Sequence, residues 1–341
     1  MKKLLKSLQG YRQETPPIWL MRQAGRHLPE YLELRKKTET FLEFCYSPEL
    51  AIEATLQPVK RYDLDAAILF SDILVIPDAL GQEVNFIKGK GPKLMPIREM
   101  SDIHELSIEK IEDNLTPVFE AIAGVRAKLK SDKTLIGFSG APWTLACYMV
   151  EGGGSKDFER TRIWAKTSPE EFNTLIDLLT NSISRYIVQK IKHGCDLIQI
   201  FDSWASVLDS EGFDKWVIRP TSKIIKNVRE IYPDYPIIGF PRGAGVNYLR
   251  YHAETGVSGV SFDSGVPLTW IRDNIQANTT VQGNLDNTVL LAGGRQLDEQ
   301  VSKIHKILGK GPFIFHLGHG VLPKTPIGNI ERVINILREK K

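Results

Sequence analysis

The sequence predicts an α/β fold, a single (β/α)₈ barrel of the TIM type in which residues 1–341 form one domain. Eight short apolar segments, rich in β-branched and aromatic residues, alternate with longer segments whose apolar residues recur at helical spacing. This alternation is typical of parallel βαβ units, and eight units without a long linker favour a closed barrel. An open doubly wound sheet is the alternative, but no GxGxxG turn follows a predicted strand.

The predicted strands are short and almost continuously apolar, as expected of strands buried on both faces. In chain order they are Ile18–Met21, Ala66–Phe70, Thr134–Phe138, Leu197–Phe201, Pro236–Phe240, Val257–Phe262, Thr279–Gln282 and Phe313–His316. Between them, Glu112–Leu129 and Phe172–Lys192 illustrate the helical periodicity. The segment Val84–Ile97 contains a Gly-Lys-Gly-Pro turn signal, so we expect a hairpin excursion beyond the second strand.

The charge and cysteine content argue against several classes of protein. The 44 basic and 41 acidic residues leave a formal net charge of +3, too balanced for general attraction to nucleic acid or membranes. The three cysteines form no CxxC pair, which fits reduced thiols in the cytoplasm. No segment approaches the roughly 20 apolar residues of a membrane span. We therefore expect a cytoplasmic protein whose partners are neither nucleic acid nor membrane.

Polar side chains follow the predicted strands, where the chemistry of a (β/α)₈ barrel is located. In strand order they include Arg22 and Arg26, Asp72, Tyr148, Ser203, Arg242, Asp263, Asn284 and His319. The two arginines of the first strand end flank Gly25, which allows a sharp turn or a close approach of the backbone to a ligand. Because guanidinium groups pair bidentately with carboxylates, this strand end predicts a site for a ligand with several carboxylates.

Four segments in order resemble the uroporphyrinogen decarboxylase family. They are PIWLMRQAGR at 17–26, FSDIL at 70–74, GAPWTL with YMVEGGGS at 140–155, and LGHG at 317–320. The resemblance runs from about Leu4 to Leu337. It implies a (β/α)₈ barrel, a homodimer, and a carboxy-lyase that works without a metal or an organic cofactor. The implied reaction removes four acetate carboxyl groups from the tetrapyrrole uroporphyrinogen III and gives coproporphyrinogen III, in haem and chlorophyll biosynthesis.

The resemblance also implies roles for individual residues. The first segment would bind substrate carboxylates through Arg22 and Arg26, and Gln23, Ala24 and Gly25 would complete that binding segment. Asp72 would be the catalytic residue and would face the pyrrole NH groups at the centre of the macrocycle. The remaining substrate contacts implied by the family are Phe41, Tyr148, Ser203 and His319. The one departure from the family pattern that we notice lies around Ser203, which Asp202 and Trp204 flank.

The chemistry of acetate decarboxylation explains why a carboxylate is needed. Protonation of the pyrrole ring gives a cationic, iminium-like intermediate that accepts the electrons of the departing carboxylate. A carboxylate beside the NH groups stabilises that cation, more strongly in a dry site than in water. Arginine is a poor acid, so His319 or a bound water is chemically the easier proton donor, and the sequence does not decide between them.

Two other functions compete with this interpretation. A corrinoid-dependent methyltransferase on the same barrel would use a zinc site, and His193-Gly194-Cys195 offers two ligand types. However, Gly194 is placed as a helix C-cap before the fourth strand, so we expect no metal site there. A non-catalytic tetrapyrrole carrier would keep the arginines but would not need Asp72.

Overall fold

The computed structural model describes residues 1–87 and 89–339, and a curled parallel sheet lies at its centre. The seven strands are β1 (Ala66–Ile68), β4 (Thr134–Gly140), β5 (Leu197–Asp202), β6 (Ile237–Pro241), β7 (Gly259–Ser261), β8 (Thr280–Leu285) and β9 (Phe313–Leu317). They pair in the order β1-β4-β5-β6-β7-β8-β9, so each strand lies beside the next one along the chain. All their carboxyl ends therefore meet at one edge of the sheet.

The two faces of the sheet pack against different clusters of apolar side chains. In β5, Leu197 and Phe201 belong to one cluster, whereas Ile198 and Ile200 belong to the other. The smaller cluster, which includes Trp19, lies on the concave face, and the larger one joins the sheet to the surrounding helices. This alternation follows from the two-residue period of a strand.

The predicted first strand, Ile18–Met21, is wrong in its extent, because the structure has a single parallel bridge there, between Ile18 and Phe315. The Phe315 N–H donates to the Pro17 carbonyl (2.9 Å), and the Asp65 N–H donates to the Ile18 carbonyl (3.0 Å). The segment thus lies between β9 and the residue before β1.

Side chains bind the backbone donors that would otherwise form the ladder of this strand. Pro17 has no N–H to donate. The N–H of Ile18 donates to the Asp65 carboxylate (2.9 Å), and that of Met21 donates to Nε2 of His316 (2.9 Å). The segment is therefore fixed in place without regular strand pairing.

A separate pair of strands follows β1. Strands β2 (Val84–Ile87) and β3 (Gly91–Leu94) are antiparallel, and Val84 pairs with Leu94. Residue 88, inside the predicted hairpin excursion, lies outside the described residues. Lys93 of β3 also forms a bridge with Gly153, so this pair contacts the glycine-rich segment at 152–154.

The helices cover the convex face of the sheet and its ends. The first group is α1 (Lys3–Leu8), α2 (Pro29–Arg35), α3 (Phe41–Cys45), α4 (Pro48–Tyr62), α5 (Val75–Ala79), α6 (Met100–His104), α7 (Ile111–Asn114), α8 (Thr116–Lys128) and α9 (Pro142–Glu151). The second group is α10 (Glu159–Thr167), α11 (Pro169–Lys192), α12 (Ser210–Phe213), α13 (Arg219–Ile231), α14 (Tyr248–Thr255), α15 (Leu268–Ile271), α16 (Asn287–Ala292), α17 (Gly294–Leu308) and α18 (Ile327–Arg338). Single 3₁₀ turns lie at Ala205–Val207 and Gly245–Asn247, and π-helical turns lie at Asp214–Ile218 and Arg272–Gln276.

Both predicted helices are present, with one difference. The predicted helix Phe172–Lys192 lies within α11. The predicted Glu112–Leu129 is divided into α7 and α8. Pro117 lies in the first turn of α8, where a proline is favoured because it has no N–H to donate to the preceding turn. Within the described ranges, none of the helices combines the length and the apolar character needed to span a membrane.

Candidate active site

The predicted site residues of the first and last segments meet at the carboxyl edge of the sheet. The Val321 N–H donates to the Met21 carbonyl (2.9 Å), which holds the loop after β9 against the loop that carries Arg22. The contact is so close that a Cβ on Gly320 would lie 2.5 Å from Cδ of Arg22. His319 and Arg22 are therefore brought together although almost the whole chain separates them.

The loop of Arg22 is a tight turn. Arg22 has a φ of 64°, which is uncommon for a residue with a side chain. A Cβ on Gly25 would lie 2.9 Å from the Arg22 carbonyl oxygen, so a side chain at that position would force the turn open. The sequence prediction that Gly25 allows a sharp turn agrees with this contact.

Gln23 and Ala24 face the protein. Gln23 is buried, its Oε1 accepts from the Leu20 N–H (3.0 Å), and its Nε2 donates to the Ala66 carbonyl (3.0 Å). Gln23 thus ties the arginine loop to β1. Ala24 is half-buried and packs against the apolar core. For these two residues, direct contact with a ligand stays a prediction.

The guanidinium groups of Arg22 and Arg26 are available to a ligand. Both residues are exposed, and neither takes part in an ion pair among residues 1–87 and 89–339. The protein around Arg22 limits its hydration and lowers its pKa, an effect that nearby Asp72 opposes and Arg26 reinforces. The free protein therefore holds unpaired positive charge at this edge.

Asp72 follows β1 and lies beside Arg22. It is half-buried, and its Oδ1 accepts from the Leu74 N–H (2.9 Å). Burial raises the pKa of this carboxyl above its ordinary value of 3.8, while the Leu74 N–H and the charge of Arg22 oppose that rise. A poorly hydrated carboxylate that forms no ion pair within the described residues can act strongly on a positive charge in a ligand.

His319 is a neutral imidazole in the free protein. Its Nδ1 is buried and has no hydrogen-bond partner within the described part of the chain. Burial lowers the pKa of His319 to about 3, and the charges of Arg22 and Arg242 add to this. A neutral imidazole can exchange hydrogen bonds with a ligand at pH 7 but is a poor acid there.

Tyr148, on α9, belongs to an aromatic group beside the charged residues. Its ring lies edge-on to Trp204 (centroids 6.1 Å apart) and to Phe158 (6.3 Å). Burial raises the pKa of Tyr148, and the nearby indole of Trp204 opposes the rise. Asp72 and Arg22 also act on Tyr148 electrostatically, so its hydroxyl lies in the same cluster.

Ser203 and Phe41 are placed less directly. Ser203 is half-buried and comes immediately after β5, whereas its neighbour Asp202 points away and accepts from Thr144 Oγ1 (2.5 Å). Burial raises the pKa of Asp202 to about 7. Phe41 is half-buried and contacts the ring of Phe70 edge-on (centroids 5.9 Å apart), and Phe70 precedes Asp72 by two residues in the chain. Ligand contact by Ser203 and Phe41 stays a prediction.

Two members of the candidate site were noted at strand ends in the sequence but were given no role there. Trp204 packs against Tyr148, and Arg242 acts electrostatically on both Arg22 and His319. Their positions directly after β5 and β6 were the available signal. A single strand end does not reveal which side chains meet across the site.

The His-Gly-Cys segment does not form a metal site in the described ranges, where no group of three His, Cys, Asp or Glu side chains could hold a metal ion. His193 stacks on Phe119 (5.2 Å), and its Nδ1 lies 2.7 Å from the Gln189 carbonyl oxygen. Cys195 is buried, and Gly194 has a φ of 112° in the turn after α11. These residues serve packing and chain reversal.

Comparisons with known proteins agree over the whole chain. The model of the family described as uroporphyrinogen decarboxylase (URO-D) matches residues 1–340. The protein named uroporphyrinogen decarboxylase from Chelativorans sp. (strain BNC1) is 49% identical over 338 residues, which covers 99% of this chain and 98% of that one. The one of the same name from Rhodospirillum rubrum is 47% identical over 337 residues and covers 99% and 97%.

Solved structures share the fold at lower identity. A methyltransferase from Methanosarcina mazei aligns with a TM-score of 0.79 at 20% identity, covering 98% of this chain and 97% of that one. A B12-independent methionine synthase from Shewanella sp. W3-18-1 aligns with a TM-score of 0.54 at 11% identity and covers 85% of each chain. These likenesses establish the α/β fold.

Proposed function

The chain belongs to the uroporphyrinogen decarboxylase family and is a carboxy-lyase, and from this premise we propose how its site acts. It removes the four acetate carboxyl groups of uroporphyrinogen III as CO₂ and gives coproporphyrinogen III. One observation supports the assignment of residues: Asp72 is a poorly hydrated carboxylate that lies beside arginines. These arginines have no carboxylate partner in the described ranges.

The full architecture is part of the proposal. We infer that the segment at Pro17 and Ile18 acts as the eighth strand and closes the sheet into a (β/α)₈ barrel, with β2 and β3 as an excursion. The backbone bonds from Phe315 and Asp65 to this segment support closure. Residues 1–341 form one domain that assembles as a homodimer in the cytoplasm and works without a metal or an organic cofactor.

The reaction replaces each acetate carboxylate by a proton. A proton first adds to the ring carbon next to the one that bears the acetate, which leaves a positive charge shared with the pyrrole nitrogen. The bond to the carboxylate then breaks, its electrons neutralise the ring, and CO₂ leaves an exocyclic methylene. A second proton adds to that methylene to give the methyl group, and the ring carbon returns its proton.

Five residues of the candidate site have a role in these reaction steps. Asp72 stabilises the cationic ring through the pyrrole NH, because a fixed carboxylate in a poorly hydrated site needs no reorganisation. Arg22 and Arg26 bind carboxylates of the substrate and fix which ring lies over Asp72. Neutral His319 and the hydroxyl of Tyr148 supply hydrogen bonds to the side chains of the substrate.

Anaerobic incubation with uroporphyrinogen III, followed by oxidation and chromatography, tests this function. We expect porphyrins with seven, six, five and four carboxyl groups to appear in turn, and far less of them with Asp72→Asn. Retention of all eight carboxyl groups by the wild-type protein would refute the proposal. A corrinoid-dependent methyltransferase is the alternative function. The structural likeness to a methyltransferase at 20% identity supports a shared fold and not a shared activity.

A further inference from the structure

Arg242 stands across the sheet from the arginine loop. It comes directly after β6, whereas Arg22 follows the segment that contacts β9 and β1. It is half-buried, and its charge adds to the low pKa of Arg22 and of His319. The side chain therefore reaches toward the same cluster from another wall of the site.

The backbone of Arg242 is firmly held. Its N–H donates to the Asp202 carbonyl (3.0 Å), at the end of the neighbouring strand. The next N–H, of Gly243, donates to the Asp263 carboxylate (2.9 Å), to which Tyr248 also donates (2.8 Å). These bonds fix the backbone of the loop from both sides, so ligand binding has to order only the arginine side chain.

The guanidinium group of Arg242 has no carboxylate partner within the described residues. By contrast, Arg250 on the following helix pairs with Asp214 and Glu254. Like charges at Arg22 and Arg242 oppose each other in the free protein, and an anionic ligand removes that cost. Asp72 forms no ion pair with Arg242 among the described residues, and the two follow different strands, β1 and β6.

We propose that Arg242 binds a propionate carboxylate of the tetrapyrrole, an inference that rests on the proposed function. Each acetate that reacts beside Asp72 loses its carboxylate. A contact that binds the substrate during all four decarboxylations must therefore bind a carboxylate that the reaction does not remove. The propionates persist in every intermediate and in the product. Arg242 acts on Arg22 and His319 from the end of β6, a different strand end from that of Asp72, where a propionate of the macrocycle would reach.

Binding of coproporphyrinogen III, which has propionates but no acetates, tests the inference. Under anaerobic conditions, we expect the dissociation constant of Arg242→Gln to rise about 10-fold to 100-fold, the range of a lost charge-assisted hydrogen bond. KM for uroporphyrinogen III rises in parallel, while the single-turnover rate at saturation stays within about threefold. Arg242→Lys restores part of the affinity because it keeps the charge without the planar fork.

Arg250→Gln is the matched control, because it removes an arginine of the same βα unit whose ion pairs, with Asp214 and Glu254, lie at the surface. Its affinity for coproporphyrinogen III should equal that of the wild type. Unchanged coproporphyrinogen affinity in Arg242→Gln overturns the inference, and so does a loss confined to uroporphyrinogen, which would indicate an acetate contact. A wild-type protein that neither binds nor decarboxylates these compounds refutes the proposed function itself. If the wild type binds and decarboxylates these compounds and Arg242→Gln has the same affinity as the wild type, only the inference about Arg242 is refuted.

Discussion

Asp72 and Arg22 lie close enough to act on each other's pKa, yet no ion pair joins them. Burial raises the pKa of Asp72, and the positive charge of Arg22 offsets part of that rise. A direct ion pair would neutralise both groups before a ligand arrived. Under the proposed function, this separation leaves Asp72 to act on a cationic ring and Arg22 to bind a carboxylate.

Replacement of Asp72 separates charge from shape. Asn keeps the size and can still accept the Leu74 N–H, so Asp72→Asn should fold and bind the macrocycle. We expect single-turnover decarboxylation to fall by about 10²–10³, as when one preorganised electrostatic group is removed. Asp72→Glu keeps the charge but misplaces it, so it should be impaired and yet retain more activity than Asn. A wild-type rate in Asp72→Asn would remove the electrostatic role.

The same substitution should raise stability at neutral pH. The native pKa of Asp72 lies above its ordinary value of 3.8, so the stability that this group contributes at low pH is lost as pH rises through the native pKa. A neutral Asn escapes that loss. We expect a higher Tm than wild type at pH 7 and a smaller difference at acid pH. Asp298→Asn, which breaks a surface pair with Arg332, should leave Tm unchanged or slightly lower it. A lower Tm for Asp72→Asn at pH 7 would contradict this assignment.

Gly320 provides a way to move Arg22 without replacing it. A Cβ at this position would lie 2.5 Å from Cδ of Arg22 and 2.9 Å from Cγ, so the arginine side chain must shift. We expect Gly320→Ala to fold normally and to raise KM about tenfold, as for the loss of one charged hydrogen bond. Gly328→Ala, with no atom within 4 Å of the new Cβ, is the control for a glycine-to-alanine change. Equal KM values for the two variants would show that the position of Arg22 does not matter.

The low pKa of His319 makes a prediction for the pH profile. Because the pKa is about 3 in the free protein, His319 stays neutral as pH falls through 6.5. The plot of kcat/KM against pH, which reports the free enzyme, should have no limb near 6.5 that depends on His319. The acid limb should fall lower, where Asp72 and the substrate carboxylates take up protons, and His319→Asn should leave its midpoint in place. A wild-type limb near pH 6.5 that disappears in His319→Asn would refute the neutral assignment.

Most of the sheet could be predicted because its strands carry their own signal. Seven of the eight predicted apolar segments contain a strand, since burial on both faces demands continuous β-branched and aromatic residues. The first segment has the same composition but only one bridge. Its donors bond to side chains of Gln23, nearby in the chain, and of Asp65 and His316, which are distant partners that leave no trace in local periodicity.

The clustering of candidate site residues could be predicted where a residue directly follows a strand. Arg22, Asp72 and His319 belong to one cluster, as the meeting of strand ends at one edge requires. The role of Gln23 could not be foreseen, because one of its partners is a backbone carbonyl 43 residues away. The proposed role of Arg242 depends on its having no carboxylate partner among the described residues. That can be seen only in the folded structure, where the positions of the carboxylates are known.

The bond between Pro17 and Phe315 also bears on how the chain is made. A ribosome adds about 5–20 residues per second, so the segment at Pro17 waits roughly 15–60 s before its partner strand is synthesised. During that interval Ile18, Trp19 and Leu20, all buried in the finished protein, have no β9 to cover them. The nascent chain therefore lacks the partner of this apolar segment for most of its synthesis, and the arginine loop is fixed in place only after β9 has been made.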